Sequence, residues 1–131
     1  MPFTRISYME NQYHAEQLQQ ISRVILSALV DCCDVPVKDC FQVFHHHQPE
    51  QFIYDPHYLQ GERSDGLLYI QITLKSGRGV VKKKKLYMQL AKQLSQQVGV
   101  RIEDVFIMLI ETEFEDWSFG SGLAQMVKEN E

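Results

Sequence analysis

The run VPVKDCF at positions 35–41 is matched by VRIEDVF at positions 100–106, an offset of 65 in a chain of 131 residues. The same offset carries Ile21, Ile25 and Leu29 onto Leu86, Leu90 and Leu94, and Phe3 onto Leu68. A pattern copied once, at half the chain length, marks a duplicated supersecondary unit. It excludes a solenoid, which needs at least three stacked copies. Two similar halves must therefore share one core.

Within the first half, Leu18, Ile21, Ile25, Ala28, Leu29 and Cys32 recur at helical spacing and predict a helix over 13–32. Leu86, Leu90, Leu94 and Val98 form the second such stripe. Segments rich in β-branched and aromatic residues predict strands at Phe3–Met9, 40–46, 67–75 and Val105–Thr112. The order is β-α-β twice over. Each unit is expected to be a parallel strand pair with a right-handed crossover, so both helices lie on one face. The expected fold class is α/β (α+β): duplicated β-α-β units forming a four-stranded mixed sheet. At 131 residues the chain reads as a single domain, 1–131, with repeats at about 1–60 and 67–131.

In VFIMLIE, at positions 105–111, both alternating sets are apolar: Val105, Ile107 and Leu109 on one side, Phe106, Met108 and Ile110 on the other. Such a strand is buried on both faces. Helices from one chain cover only one of them, so a homo-oligomer is expected to close the second. The stretch between the halves is turn-rich, with Pro49, Pro56, Gly61 and Gly66. Within it QFIY reads as a short extra strand or hairpin arm, from which Tyr54 and Tyr58 would reach a neighbouring subunit.

A net charge of -4 excludes a general nucleic-acid binder. No apolar run approaches the ~18 residues of a membrane span, and no secretory signal pattern opens the chain, so a cytoplasmic protein is expected. Cys32, Cys33 and Cys40 are odd in number and two are adjacent, which suits reduced thiols.

Several residues carry candidate chemistry. Pro2 follows the initiator methionine directly, at the mouth of the first strand. It reads either as an edge-strand proline or, once Met1 is trimmed, as a free secondary amine. An α-amino group titrates at about 7.7–8.0, close enough to neutrality to serve as acid or base. Asp39 reads as a turn cap or as a carboxylate that orients water and tunes that amine. Arg78, between two glycines at a strand-to-helix turn, is placed to hold a substrate carboxylate through a bidentate fork. Lys75 lies on the same approach. Lys82–Lys85 opposes the helix dipole, reading as a solvated face or as part of an anion-attracting field. His45 and His47 share one strand face while His46 takes the other, so two ligands face together; that is too few for a zinc site, and no metal is expected. Trp117 and Phe119, in DWSFGSG, would pack a subunit seam or wall an apolar pocket.

Met-Pro, the duplicated unit, VPVKD, GRG before the second helix and DWSFGSG together resemble the tautomerase superfamily, in particular the branch of malonate semialdehyde decarboxylase. The resemblance covers nearly the whole chain. It implies a homotrimer of β-α-β-β-α-β subunits acting on a small carboxylate substrate without a cofactor. It implies Pro2 as the acid-base residue, Asp39 as the aspartate that activates water or supports the proline, and Arg78 as the second of two carboxylate-binding arginines. Trp117 and Phe119 fall on aromatic pocket positions. The first arginine falls at Lys75 or Ser76, and a lysine there keeps the charge but loses the fork. The activity expected is tautomerisation of keto or enol carboxylates; the alternatives are a decarboxylase or hydratase, and a non-catalytic trimer serving protein interaction.

Overall fold

The computed structural model describes residues 1–128. Six regular elements follow in chain order: β1 (Phe3–Met9), α1 (Ala15–Cys33), β2 (Gln42–His47), β3 (Leu68–Lys75), α2 (Val80–Val98) and β4 (Val105–Thr112). The strands form one four-stranded sheet in the order β2-β1-β3-β4. Its outer pairs, β1 with β2 and β3 with β4, are parallel; the central pair, β1 with β3, is antiparallel. The duplication is literal in the helices. Both have 19 residues, and the 65-residue offset carries the ends of α1 onto those of α2.

The helical stripes explain the packing. Ile21, Ile25 and Leu29 from α1 and Leu86, Leu90 and Leu94 from α2 are fully buried against Ile6, Ile70 and Ile72 of the central strands. Each large aliphatic side chain buried in this way contributes about 1.5–3 kcal/mol. Both helices stop at a residue in the left-handed conformation, Asp34 with φ 58° and Gly99 with φ 86°. The backbone N–H there closes onto carbonyls of the last turn.

Several boundaries differ from the sequence expectation. Helix α1 begins at Ala15 because His14 takes the capping position. The Gln17 N–H donates to His14 Nδ1 at 3.3 Å, and the His14 N–H donates to Gln17 Oε1 at 3.0 Å. That reciprocal box fixes the first turn. Tyr13 instead sets its ring edge-on to Tyr8 and donates its hydroxyl to the Gly66 carbonyl. Strand β2 begins at Gln42, two residues later than expected. QFIY forms no strand: it leaves a 3-10 turn (Pro49–Gln51), and Phe52 buries itself against Met9 and Leu67. Tyr54 turns back to Phe52 and donates to Asp65 at 2.7 Å, while Tyr58 remains exposed.

The sheet face away from the helices is mixed in character and carries an exposed apolar set on β4 and β2. In β4, Val105, Ile107 and Leu109 pack on the core, as the alternation required. Phe106, Met108 and Ile110 are 44%, 47% and 38% exposed, and Val43 of β2 lies open on the same side.

Asp104 is a buried carboxylate with a full set of partners. It accepts from the Ser64 N–H at 2.8 Å and the Ser64 hydroxyl at 2.5 Å, with Arg101 Nη1 at 3.6 Å. Replacing it strands those donors in a dry site. Asp104→Ala is expected to lower the unfolding free energy by about 2–3 kcal/mol, read as a fall in the urea midpoint at unchanged slope.

Candidate active site

The topology brings four chain segments to one end of the sheet. Strands β1 and β2 start there, β3 runs antiparallel to β1 and ends there, and the Ser76–Gly79 turn leads directly into α2. Thus Met1, Asp39, Lys75 and Arg78, separated by up to 77 residues, meet. A cavity of about 420 Å³ opens among them, lined by Met1, Asp39, Lys75, Arg78, Lys82 and Phe114 with the C-terminus of α1 behind.

Arg78 is held by the backbone. Its Nε and Nη2 both donate to the Cys33 carbonyl, at 3.1 and 2.9 Å, and Nη1 donates to the Lys75 carbonyl at 2.9 Å. Cys33 is the last residue of α1, so the guanidinium also meets the negative end of that helix dipole. The turn that delivers it depends on Gly77, whose φ of 119° is one that side-chain-bearing residues rarely adopt. Gly79 caps α2 without a side-chain hydrogen bond, leaving first-turn N–H donors near the arginine uncapped by any side chain.

The amino terminus lies against Asp39. With Met1 in place, its ammonium forms an ion pair with Asp39 Oδ2, and the two side chains are only 10% and 16% exposed. The Met1 amine extends beyond Pro2, which is buried one residue behind, about 3.8 Å along the chain. Burial first, and then the Arg78 charge, lower the Met1 amine from 8.0 to about 6. Asp39 pulls the other way, since a carboxylate in contact favours the ammonium. Asp39 Oδ1 is buried and accepts no hydrogen bond from the described residues.

The repeat supplies an internal control. The 65-residue offset carries Asp39 onto Asp104, Arg78 onto Tyr13 and Met1 onto Gly66. At that second end the chain runs on as an amide, Tyr13 donates to the Gly66 carbonyl, and Asp104 is saturated by Ser64 and Arg101. One end of the duplicated fold is thus closed by its own hydrogen bonds. The other keeps an amine, an arginine and a half-free carboxylate around open space.

Lys75 lines the cavity but is engaged. Its ammonium donates to the Ser76 carbonyl at 2.9 Å, pairs with Glu113 at 3.4 Å and lies 4.9 Å from the Phe114 ring centre. The Ser76 hydroxyl donates to Glu113 at 2.5 Å. Of the lysine run, Lys82 pairs with Asp34 at 3.0 Å and Lys83 with Glu111 at 3.3 Å.

Trp117 and Phe119 stand outside the lining of this cavity within one chain. Their rings stack at 5.8 Å, Phe119 leans on Phe41, and the Trp117 indole donates to Thr112 at 2.7 Å. Phe114 and Met126 line the cavity instead. Neither carries a sequence signal, because both follow β4 in chain without periodicity. The histidines also separate: Arg5 and His45 approach at 3.1 Å on the open face, while His46 lies edge-on to Tyr8 at 6.4 Å.

The tautomerase enzyme family is matched by two of its sequence models, one over residues 39–120 and the other over residues 2–61. The probable tautomerase YusQ of Bacillus subtilis (strain 168) is 44% identical over 128 residues, spanning 98% of this chain and all of the relative. A malonate semialdehyde decarboxylase inhibited by 3-bromopropiolate is 31% identical with a TM-score of 0.87, covering 94% of this chain and 92% of that one. A fused 4-OT, solved as a symmetric trimer, has the same fold with a TM-score of 0.77 at 18% identity, covering 95% and 96% of the two chains.

Proposed function

This chain belongs to the tautomerase family, and from that premise we propose that it moves protons on small keto or enol carboxylates through the amine of Pro2. The observation that carries the reading is the convergence of the amino terminus, Asp39 and Arg78 on one cavity, when the equivalent end of the repeat is closed. Removal of Met1 exposes the secondary amine. Burial and the neighbouring guanidinium bias that amine toward its neutral form, as they do the Met1 amine. Neutral Pro2 takes a proton from the carbon next to the carbonyl or from the enol hydroxyl. The resulting ammonium returns it at the other end of the conjugated system. Arg78, fixed beforehand by carbonyl acceptors, binds the carboxylate and stabilises the enolate oxygen as charge develops, without reorganising. Asp39 holds the amine in place.

A second reading has its own observation. The contact between Asp39 and the terminal ammonium favours the protonated form. A cationic Pro2 would act as an acid that polarises a 3-carbonyl while carbon dioxide leaves, the chemistry of a decarboxylase. The sign of the pH dependence separates the two. A base gains activity as pH rises through its pKa, whereas an acid loses it.

The exposed apolar set formed by Phe106, Met108, Ile110 and Val43 supports assembly as a homotrimer, in which the copies cover one another. In that assembly Trp117 and Phe119 would wall the cavity from a subunit seam. Among the described residues no helix is long and apolar enough to cross a membrane.

The test is ketonisation of phenylenolpyruvate at neutral pH by untagged protein whose intact mass shows loss of Met1. Turnover that disappears in Pro2→Ala supports the reading. Turnover unaffected by that change, or its absence from the trimmed wild-type protein, contradicts it.

A further inference from the structure

Three cationic side chains line the cavity, and among the described residues one of them has no carboxylate partner. Lys82 is paired with Asp34, and Lys75 with Glu113, which lies outside the lining. Arg78 touches only backbone carbonyls. Those bonds use three of the five N–H donors of a guanidinium, so two remain for a ligand.

Glu113 is itself held in place. One oxygen accepts from the Ser76 hydroxyl at 2.5 Å and the other meets Lys75 at 3.4 Å. Its own N–H donates to Asp116 at 2.8 Å, in the turn that begins Phe114–Asp116. Both Ser76 and the Lys75 ammonium depress its carboxyl below the ordinary range, Ser76 more strongly. It is therefore anionic at neutral pH and cancels the lysine charge at the wall. Phe114, the next residue, then covers the same ammonium with its ring.

We infer that Glu113 is a specificity-determining positioning residue: by holding and neutralising Lys75, it restricts the cavity to ligands with a single carboxylate. A second carboxylate entering beside Lys75 would have to displace Glu113 and would meet its repulsion. This rests on the carboxylate-binding part of the reading above and not on which reaction follows. Without Glu113, Lys75 becomes a second free cation facing the cavity, and a keto diacid becomes an acceptable ligand.

The test compares phenylenolpyruvate, a monocarboxylate, with enol-oxaloacetate, a dicarboxylate. In Glu113→Gln the ratio of kcat/KM for the diacid to that for the monoacid is expected to rise about tenfold, the worth of one added charge-assisted contact. The change should sit in KM. Adding Lys75→Met to Glu113→Gln should return the ratio to its starting value, which a purely structural role for Glu113 would not produce. Calorimetric binding of 2-oxobutanoate and 2-oxoglutarate to the same three proteins reads the same ratio without turnover. A ratio that stays within about twofold in Glu113→Gln, or a rise that survives loss of Lys75, overturns the inference. Absence of Pro2-dependent turnover alongside the expected binding ratios would instead sink the proton-transfer reading and leave this one standing.

Discussion

Protein carrying an uncleaved amino-terminal extension is expected to fold normally and to lose ketonisation activity by about 100- to 10,000-fold, the range attributed to a positioned acid-base group. The extension turns the Pro2 nitrogen into an amide, which has no basicity near neutral pH. Folding is spared because the extension begins ahead of Pro2, leaving the buried Pro2, Thr4 and Ile6 side chains in place. Even the single extra residue Met1 reaches Asp39 and lines the cavity, so a longer extension also obstructs it. The comparison must be made at equal thermal stability. Extended and trimmed proteins with the same melting temperature and the same kcat/KM would exclude the terminal amine from the reaction.

Arg78→Ala is expected to lower kcat/KM by about 100- to 1,000-fold, as removal of a preorganised donor does elsewhere. Its loss removes the one lining cation without a carboxylate partner among the described residues. It also unties the Cys33 and Lys75 carbonyls, which exchange the guanidinium for water. The same change removes a positive charge that lowers the terminal amine. An activity limb set by a basic amine should therefore move to higher pH, the sign being fixed because removing a nearby cation favours the protonated form. Arg78→Lys keeps the charge and loses the fork, so it should restore the pH limb more fully than the rate. A pH profile that fails to move in Arg78→Ala would separate the arginine from the amine.

Most of the architecture was legible because the repeat constrains it twice. Ile21, Ile25 and Leu29 and their copies 65 residues on fixed the faces of both helices, and the doubly apolar β4 marked an uncovered sheet face. The start of α1 was misread because histidine is not a usual helix cap, and His14 serves only through its reciprocal bonds with Gln17. QFIY has strand-like composition, yet Phe52 is buried in a cluster with Met9 and Leu67 instead of joining the sheet. Tertiary packing decided that segment over local propensity.

The candidate site divides similarly. Pro2, Asp39, Lys75 and Arg78 stood out by residue type and local setting, and the antiparallel central pair brings the segments that carry them to one end of the sheet. Phe114, Met126 and Glu113 did not stand out. They belong to an irregular segment, and their significance lies in contacts such as Glu113 with Ser76, made across 37 positions. Trp117 and Phe119 carried the clearest local motif and lie outside the cavity of the single chain. A motif records which residues accompany a fold, not which of them face the same open space.

The most direct measurement is a pH titration of the proline nitrogen in trimmed protein labelled with 15N-proline. The proton-transfer account expects one titrating secondary amine with a midpoint below the ordinary 8.0, the direction in which burial and the Arg78 charge move the Met1 amine. The pH limb of kcat/KM for phenylenolpyruvate should have the same midpoint. A midpoint well above 8, or an activity profile that ignores the titration, would contradict it.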